Sequence, residues 1–264
     1  MKIAVAGKGG VGKTTLAGSL ACLLSQRGLK VLAVDADPNA NLAYTLGLTA
    51  EEADRIIPIS ENWSLIEEKT GVKPESYGGL FRLSFTVDDI VTRYAVDTPC
   101  GVSLLVMGVV REASQGCMCL ANALLRSLLR HILVQRGEVV VADMEAGTEH
   151  LGRGTAKYVD EMLVVVEPSA KSLRTAIRIR DLAVGLGVKG VFLVGNKIMG
   201  EKDEEAIRNF AHENELEILG MIPYDPAVRE SDLSGSPLSL TESTPALNAI
   251  KSICNHLVEM YKAN

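Results

Sequence analysis

Residues 7–14 read Gly-Lys-Gly-Gly-Val-Gly-Lys-Thr, and these residue types are the ones that grip a phosphate chain. Gly7, Gly12, Lys13 and Thr14 satisfy the spacing G-x-x-x-x-G-K-[ST]. The glycines let successive backbone N–H groups turn inward around an anion. Lys13 reaches the β- and γ-phosphates, and the Thr14 hydroxyl suits magnesium. Gly9, Gly10, Val11 and Thr15 complete the cradle. The chemistry on offer is the binding of a nucleoside triphosphate.

Lys8, directly after the first glycine, is surplus to a loop that Lys13 already serves. This spelling resembles the deviant P-loop of the family that includes the MinD and ParA ATPases, the nitrogenase iron protein and the Mrp-type metallochaperones. The resemblance implies slow, dimer-dependent hydrolysis of ATP to ADP and phosphate. It also implies a homodimer in which Lys8 reaches the partner's nucleotide as a cation on the transferring phosphoryl group. The alternative is a solvated surface lysine.

The same resemblance assigns further residues. Asp37, in Asp37-Pro38, matches the position that orients the attacking water, so Lys8, Lys13 and Asp37 are the expected catalytic residues. Asp143 ends the run Val139-Val-Val-Ala-Asp143 and is expected to hold magnesium together with Thr14 and Asp37. Asp35 is an alternative support for the magnesium shell. Gly147 in Met144-Glu-Ala-Gly147 resembles a γ-phosphate sensor. Asn196 and Lys197 fall at the family's base-recognition position, where an amide offers both donor and acceptor to a purine. Pro223, Tyr224 and Asp225 are the expected wall for the base.

Cys117 and Cys119 form a Cys-x-Cys pair at the start of a helix-period run, Leu120 to Ile132. The positive end of a helix favours thiolate, the metal-binding form. One pair supplies two ligands, so a four-sulfur site needs the same pair from a symmetry mate. Such a site suits zinc in a tetrahedron or nickel in a square plane. Two buried structural cysteines are the alternative.

Gly116-Cys-Met-Cys119 followed by Ala123-Leu-Leu-Arg126 resembles the CooC family, the nickel-inserting ATPases that mature carbon monoxide dehydrogenase. Leu65–Gly71, Val87–Ile90, Leu104–Gly108 and Asp143–Gly154 resemble segments of that family too. The resemblance implies a metallochaperone using ATP/ADP and magnesium, carrying nickel (or zinc in the same site) at a dimer-shared Cys117/Cys119 site. Apo carbon monoxide dehydrogenase is the implied client, with acetyl-CoA synthase as the alternative. Leu83-Ser-Phe-Thr86 departs from the Asn-Pro expected there. Glu149 and His150 read as an extra metal ligand or a relay between nucleotide and metal, or else His150 is a helix-start histidine in a solvated turn.

These residues need a scaffold that brings strand ends together. Apolar runs at 3–6, 30–35, 102–107, 138–143, 162–167, 191–196 and 217–222 alternate with helical periodicity near 14–26, 120–134, 171–184, 201–214 and 245–261. That alternation predicts an α/β P-loop NTPase, a mostly parallel twisted sheet flanked by helices on both faces. Ligands bind such sheets at the carboxyl ends of the strands. One domain over 1–264 is expected, with a helical insertion around 49–101 that either packs down or faces a partner.

The chain has 264 residues, 47% hydrophobic and 23% charged, enough for one large core. A net charge of −6 gives no overall attraction to nucleic acid or anionic lipid, so neither is an expected partner. A MinD- or ParA-type positioning ATPase is the rival reading, but residues 245–264 make a poor basic membrane anchor. An ATPase sharing an iron–sulfur cluster is another rival. No apolar run reaches membrane-span length and no signal peptide precedes the first strand, so the expected location is cytoplasmic. The five cysteines are accordingly expected as reduced thiols, with Cys22 in the core.

Overall fold

A computed structural model gives the structure of residues 1–37, 39–71, 87–108, 118–135, 137–145, 157–235, 237–238, 240 and 242–263. Eight strands form one sheet in the order β3-β4-β2-β5-β1-β6-β7-β8. They are β1 (Lys2–Gly7), β2 (Val31–Ala36), β3 (Val96–Asp97), β4 (Ser103–Val106), β5 (Val139–Met144), β6 (Glu161–Val166), β7 (Gly190–Ile198) and β8 (Glu217–Pro223). All pairings are parallel except β3 with β4. Strands covered on both faces read as continuous apolar runs. β1, β2 and β5 do so, and every residue in them is buried.

Side chains alternate across the sheet. Ala4 and Ala6 join one core layer with Leu65 and Ile66, Ile90 and Val91, the Leu124–Leu133 face, Ile179 and Ile207. Those residues lie on α4 (Trp63–Thr70), α5 (Ile90–Tyr94), α6 (Met118–Gln135), α7 (Ala170–Leu186) and α8 (Glu201–Glu213). Ile3 and Val5 join the opposite layer with Leu16, Leu20, Leu42, Ile250 and Leu257. These come from α1 (Lys13–Gln26), α2 (Leu42–Thr45) and α10 (Pro245–Ala263), while α3 (Ala50–Asp54) and α9 (Pro226–Ser234) are short surface helices. The architecture is the α/β one expected, with element limits within about two residues of the sequence reading.

The described part of the 49–101 stretch packs down. Thr49 and Glu52 form a reciprocal capping box on α3, and the Asn62 side chain caps α4 by accepting from Leu65 N at 3.0 Å. The buried side chains of α4 and α5 are part of the core. This stretch also holds β3, a two-residue edge strand too short to show a period of its own. A turn closed by Gly101 N donating to Thr98 O at 2.9 Å returns it to β4.

Two features tie distant elements together. The Lys2 side chain donates to Glu138 O at 2.9 Å and Ile132 O at 3.4 Å, so the start of β1 holds the carboxyl end of α6. Cys22 on α1 and Cys100 ahead of β4 are joined as a disulfide, with Cα atoms 5.5 Å apart. This corrects the expectation of reduced thiols for that pair: the fold brings two cysteines distant in sequence to bonding separation. Cys22 is also buried, as expected, and Cys254 is a buried free thiol on α10. Among the described residues no helix is long and apolar enough to cross a membrane.

Candidate active site

β1 delivers the chain to residues 8–12 and α1 starts at Lys13. Gly12 adopts φ +97°, and a Cβ there would run into the Asn196 side-chain amide. Both facts require glycine at this position. Gly10, at φ +80°, is left-handed as well.

Two residues at the end of β7 hold the outer side of the loop. Asn196 Nδ2 donates to Val11 O at 2.7 Å, and Lys197 Nζ donates to Gly10 O at 2.6 Å. Lys197 is itself left-handed at φ +59°, uncommon for a residue that carries a Cβ. With these carbonyls engaged on one side, the N–H groups of the loop remain for an anion on the other. Asn196 and Lys197, read as base-recognition residues, thus fasten the phosphate loop to the sheet.

The polar centre lies where β2 and β5 end beside α1. Thr14 Oγ1 donates to Asp143 Oδ2 at 2.6 Å. Asp143 Oδ1 is buried without a hydrogen-bond partner among the described residues. Asp35 is opposite Asp143 in the β2–β5 register. Its carboxylate accepts from Asp37 N at 3.2 Å and Leu42 N at 2.9 Å, which fixes the path of the chain after β2. Burial, reinforced by the charge of Asp143, raises Asp35 from the ordinary 3.8 to about 7. Burial likewise lifts Asp143 to about 6, against the lowering effect of the Thr14 hydrogen bond and the Lys13 charge.

Lys13 is only 6% exposed, and its Nζ lies 3.6 Å from Asp37 Oδ2. Asp37 Oδ1 accepts from Asn39 N at 2.9 Å, closing a short turn. The Lys8 side chain is half-buried and has neither hydrogen bond nor ion pair among the described residues. A cleft of about 540 Å³ opens over this centre, lined on one side by Gly9, Lys13, Thr14, Thr15 and Asp37.

The far wall of the cleft was not read from the sequence. Tyr44 and Thr45 of α2, together with Ser231, Asp232 and Leu238, line it. They belong to short helices and turns without a motif, so only the packing of α2 beside α1 could reveal them. Pro223, Tyr224 and Asp225 are not among the lining residues. The Asp225 carboxylate instead accepts from Ala227 N and Ala246 N, both at 3.0 Å, fastening the starts of α9 and α10.

Gly147, Glu149, His150 and Cys117 lie outside the described residues. Cys119 falls in the first turn of α6, but its side chain is likewise outside the description. Since Lys2 holds the carboxyl end of α6 at the amino edge of the sheet, α6 runs from the carboxyl edge, the edge that carries the phosphate loop.

The residues at the centre fit a magnesium ion. A buried carboxylate oxygen with no partner among the described residues, a neighbouring hydroxyl and a second carboxylate within the cleft form a hard oxygen donor set. Together with the glycine loop and Lys13, they can bind a nucleoside triphosphate and support phosphoryl transfer.

Comparison with known proteins agrees with this chemistry. Residues 2–238 match the CobQ/CobB/MinD/ParA nucleotide binding domain. The chain is 46% identical over 246 residues to the carbon monoxide dehydrogenase accessory protein CooC of Rhodospirillum rubrum, covering 93% of this chain and 91% of that protein. It is 44% identical over 261 residues to an ATP-binding protein of Methanocaldococcus jannaschii, covering 98% of each. The septum site-determining protein MinD of Pyrococcus horikoshii, solved in complex with Mg-ADP, shares the fold. Its TM-score is 0.70 at 21% identity, over 98% of this chain and 97% of that one.

Proposed function

We propose, for a chain that belongs to the CobQ/CobB/MinD/ParA nucleotide-binding family and is a CooC-type ATPase, that ATP turnover drives delivery of nickel to apo carbon monoxide dehydrogenase. The observation that carries this reading is the 46% identity to CooC over 93% of the chain. The geometry of the nucleotide centre supports the ATPase half of it.

In this reading the loop amides and Lys13 bind the triphosphate. Phosphate oxygens compete with Asp37 for Lys13, leaving the Asp37 carboxylate to accept a hydrogen bond from the attacking water. Thr14, Asp143 and Asp37 would hold magnesium, which supplies positive charge on the phosphate oxygens when bound. Asp35 keeps the Asp37 turn in place through its two backbone hydrogen bonds. Lys8, without a partner in its own subunit among the described residues, serves the nucleotide of a second copy. ATP thereby favours the closed homodimer.

Nickel is the cargo. Cys117 and Cys119 from two copies supply four thiolates, and zinc can take the same place. Release of phosphate relaxes the pair and frees the ion for the client.

The test is a nickel titration of anaerobic, reduced protein with ADP, with ATP and with neither, reading metal content and mass together. One nickel per dimer is expected, lost in Cys117→Ala/Cys119→Ala while nucleotide binding persists. Nickel that binds equally well to the double variant would overturn the cargo site.

A further inference from the structure

The overall negative charge conceals an uneven distribution. α7 carries Lys171, Arg174 and Arg178, all exposed. Among the described residues none of these three side chains makes a hydrogen bond or ion pair. The one carboxylate on the helix, Asp181, is paired with Arg180 at 2.8 Å. The neighbouring α8, in contrast, has Glu201, Asp203 and Glu204 in its first turn alone.

Spacing turns the three cations into a stripe. Ser172, Ala176, Ile179 and Ala183 are the buried face of α7. At about 100° per residue, positions 171, 174, 178 and 182 fall together on the outer face, along roughly 16 Å of helix. The fourth position is Leu182, 48% exposed. The stripe therefore ends in an aliphatic group that a phosphate backbone has no use for.

We infer that this face of α7 is a docking surface for a protein partner that presents an acidic, partly apolar segment. Charge complementarity selects the acidic partner. The aliphatic end at Leu182 favours protein over nucleic acid. The surface also starts close to the chemistry: Ser169, the N-cap of α7, follows β6, which is paired with β1 up to Gly7. A partner seated on α7 would therefore sit one strand from the phosphate loop. The inference uses neither the cysteine pair nor nickel, so it stands or falls separately from the metallochaperone reading.

The experiment is fluorescence anisotropy at low salt with two labelled probes, an amphipathic glutamate–leucine peptide and a random-sequence DNA duplex. The expected result is peptide binding that weakens with salt and falls at least about tenfold in K171E/R174E/R178E, with DNA bound more weakly than peptide. Leu182→Ser should weaken the peptide further without altering the salt dependence. The control K202E/R208E on α8 reverses two cations against three and should leave binding in place, whereas its match in charge, the two-site variant K171E/R174E, should lose it in part; ATP hydrolysis should be unchanged in all variants. No peptide binding, equal loss in the α8 control, or preference for DNA would overturn the inference, the last in favour of a nucleic-acid surface.

Discussion

Thr14 and Asp143, 129 positions apart in sequence, share a 2.6 Å hydrogen bond that uses one carboxylate oxygen and leaves the other buried and, among the described residues, unpartnered. Asp143→Asn keeps the acceptor for Thr14 and removes the charge that a magnesium ion needs. ATP hydrolysis should fall by about a hundredfold or more. The nucleotide-free variant should melt no lower than the parent, because the carboxylate pair with Asp35 is relieved. Steady-state phosphate release and thermal melts measure the two effects. A variant that hydrolyses ATP normally would remove Asp143 from the centre.

The same pair sets a pH dependence. Asp35 and Asp143 have raised values in the folded protein, about 7 and about 6 against 3.8. The folded chain therefore holds these protons more tightly than the unfolded one. Their contribution to stability is complete at the acidic end and is lost as pH rises through the window from about 4 to about 7. Magnesium needs the ionised form, so its stabilising effect should grow over that same window. Melting curves against pH, with and without magnesium and ADP, should diverge towards neutrality.

Lys8 is predicted to be dispensable for the fold and for nucleotide binding but not for turnover. Lys8→Ala should bind ADP with an affinity within about threefold of the parent, since no side-chain hydrogen bond or ion pair among the described residues is lost. Its hydrolysis rate should drop by about a hundredfold or more if the lysine serves a second copy's phosphates. Mixing Lys8→Ala with an Asp37→Asn variant separates the two roles. Mixed dimers should recover part of the activity only if Lys8 acts across the interface.

Asn196 and Lys197 make a different prediction. Each holds one carbonyl of the phosphate loop, and a hydrogen bond of this kind contributes about 1 kcal/mol. Asn196→Ala or Lys197→Ala should therefore weaken ATP and GTP alike, by about fivefold each. A loss confined to one base would mean that they read the purine instead. Gly12→Ala should be far more damaging, because it meets both a left-handed backbone and the Asn196 amide.

Much of this was legible in the chain because it was local. The glycine loop, the apolar strand ending in Asp143, and the helical spacing of Leu124, Leu128 and Ile132 each lie within a short window where one period dominates. What was hidden depends on contacts between distant segments. The Asp35–Asp143 register, the fastening of Gly10 and Val11 by residues nearly two hundred positions away, and the lining of the cleft by Tyr44 and Asp232 follow from strand order. No short window contains strand order. Asp225 shows the converse: a polar residue at a strand end matched a binding position in sequence, yet its carboxylate spans the starts of two helices.

The Cys22–Cys100 bond closes a covalent ring with a sequence separation of 78 residues, running from α1 through β2 and Asp37 to the edge of β4. In the chain-entropy account, a ring of that size restrains the unfolded chain by roughly 4–5 kcal/mol. A protease cut anywhere inside the ring, in the surface helix at Ala50–Asp54 for example, would leave both fragments attached. The nicked protein should migrate as one species on a non-reducing gel and as two after a thiol reductant. Mass spectrometry of the released peptides would identify the bonded pair.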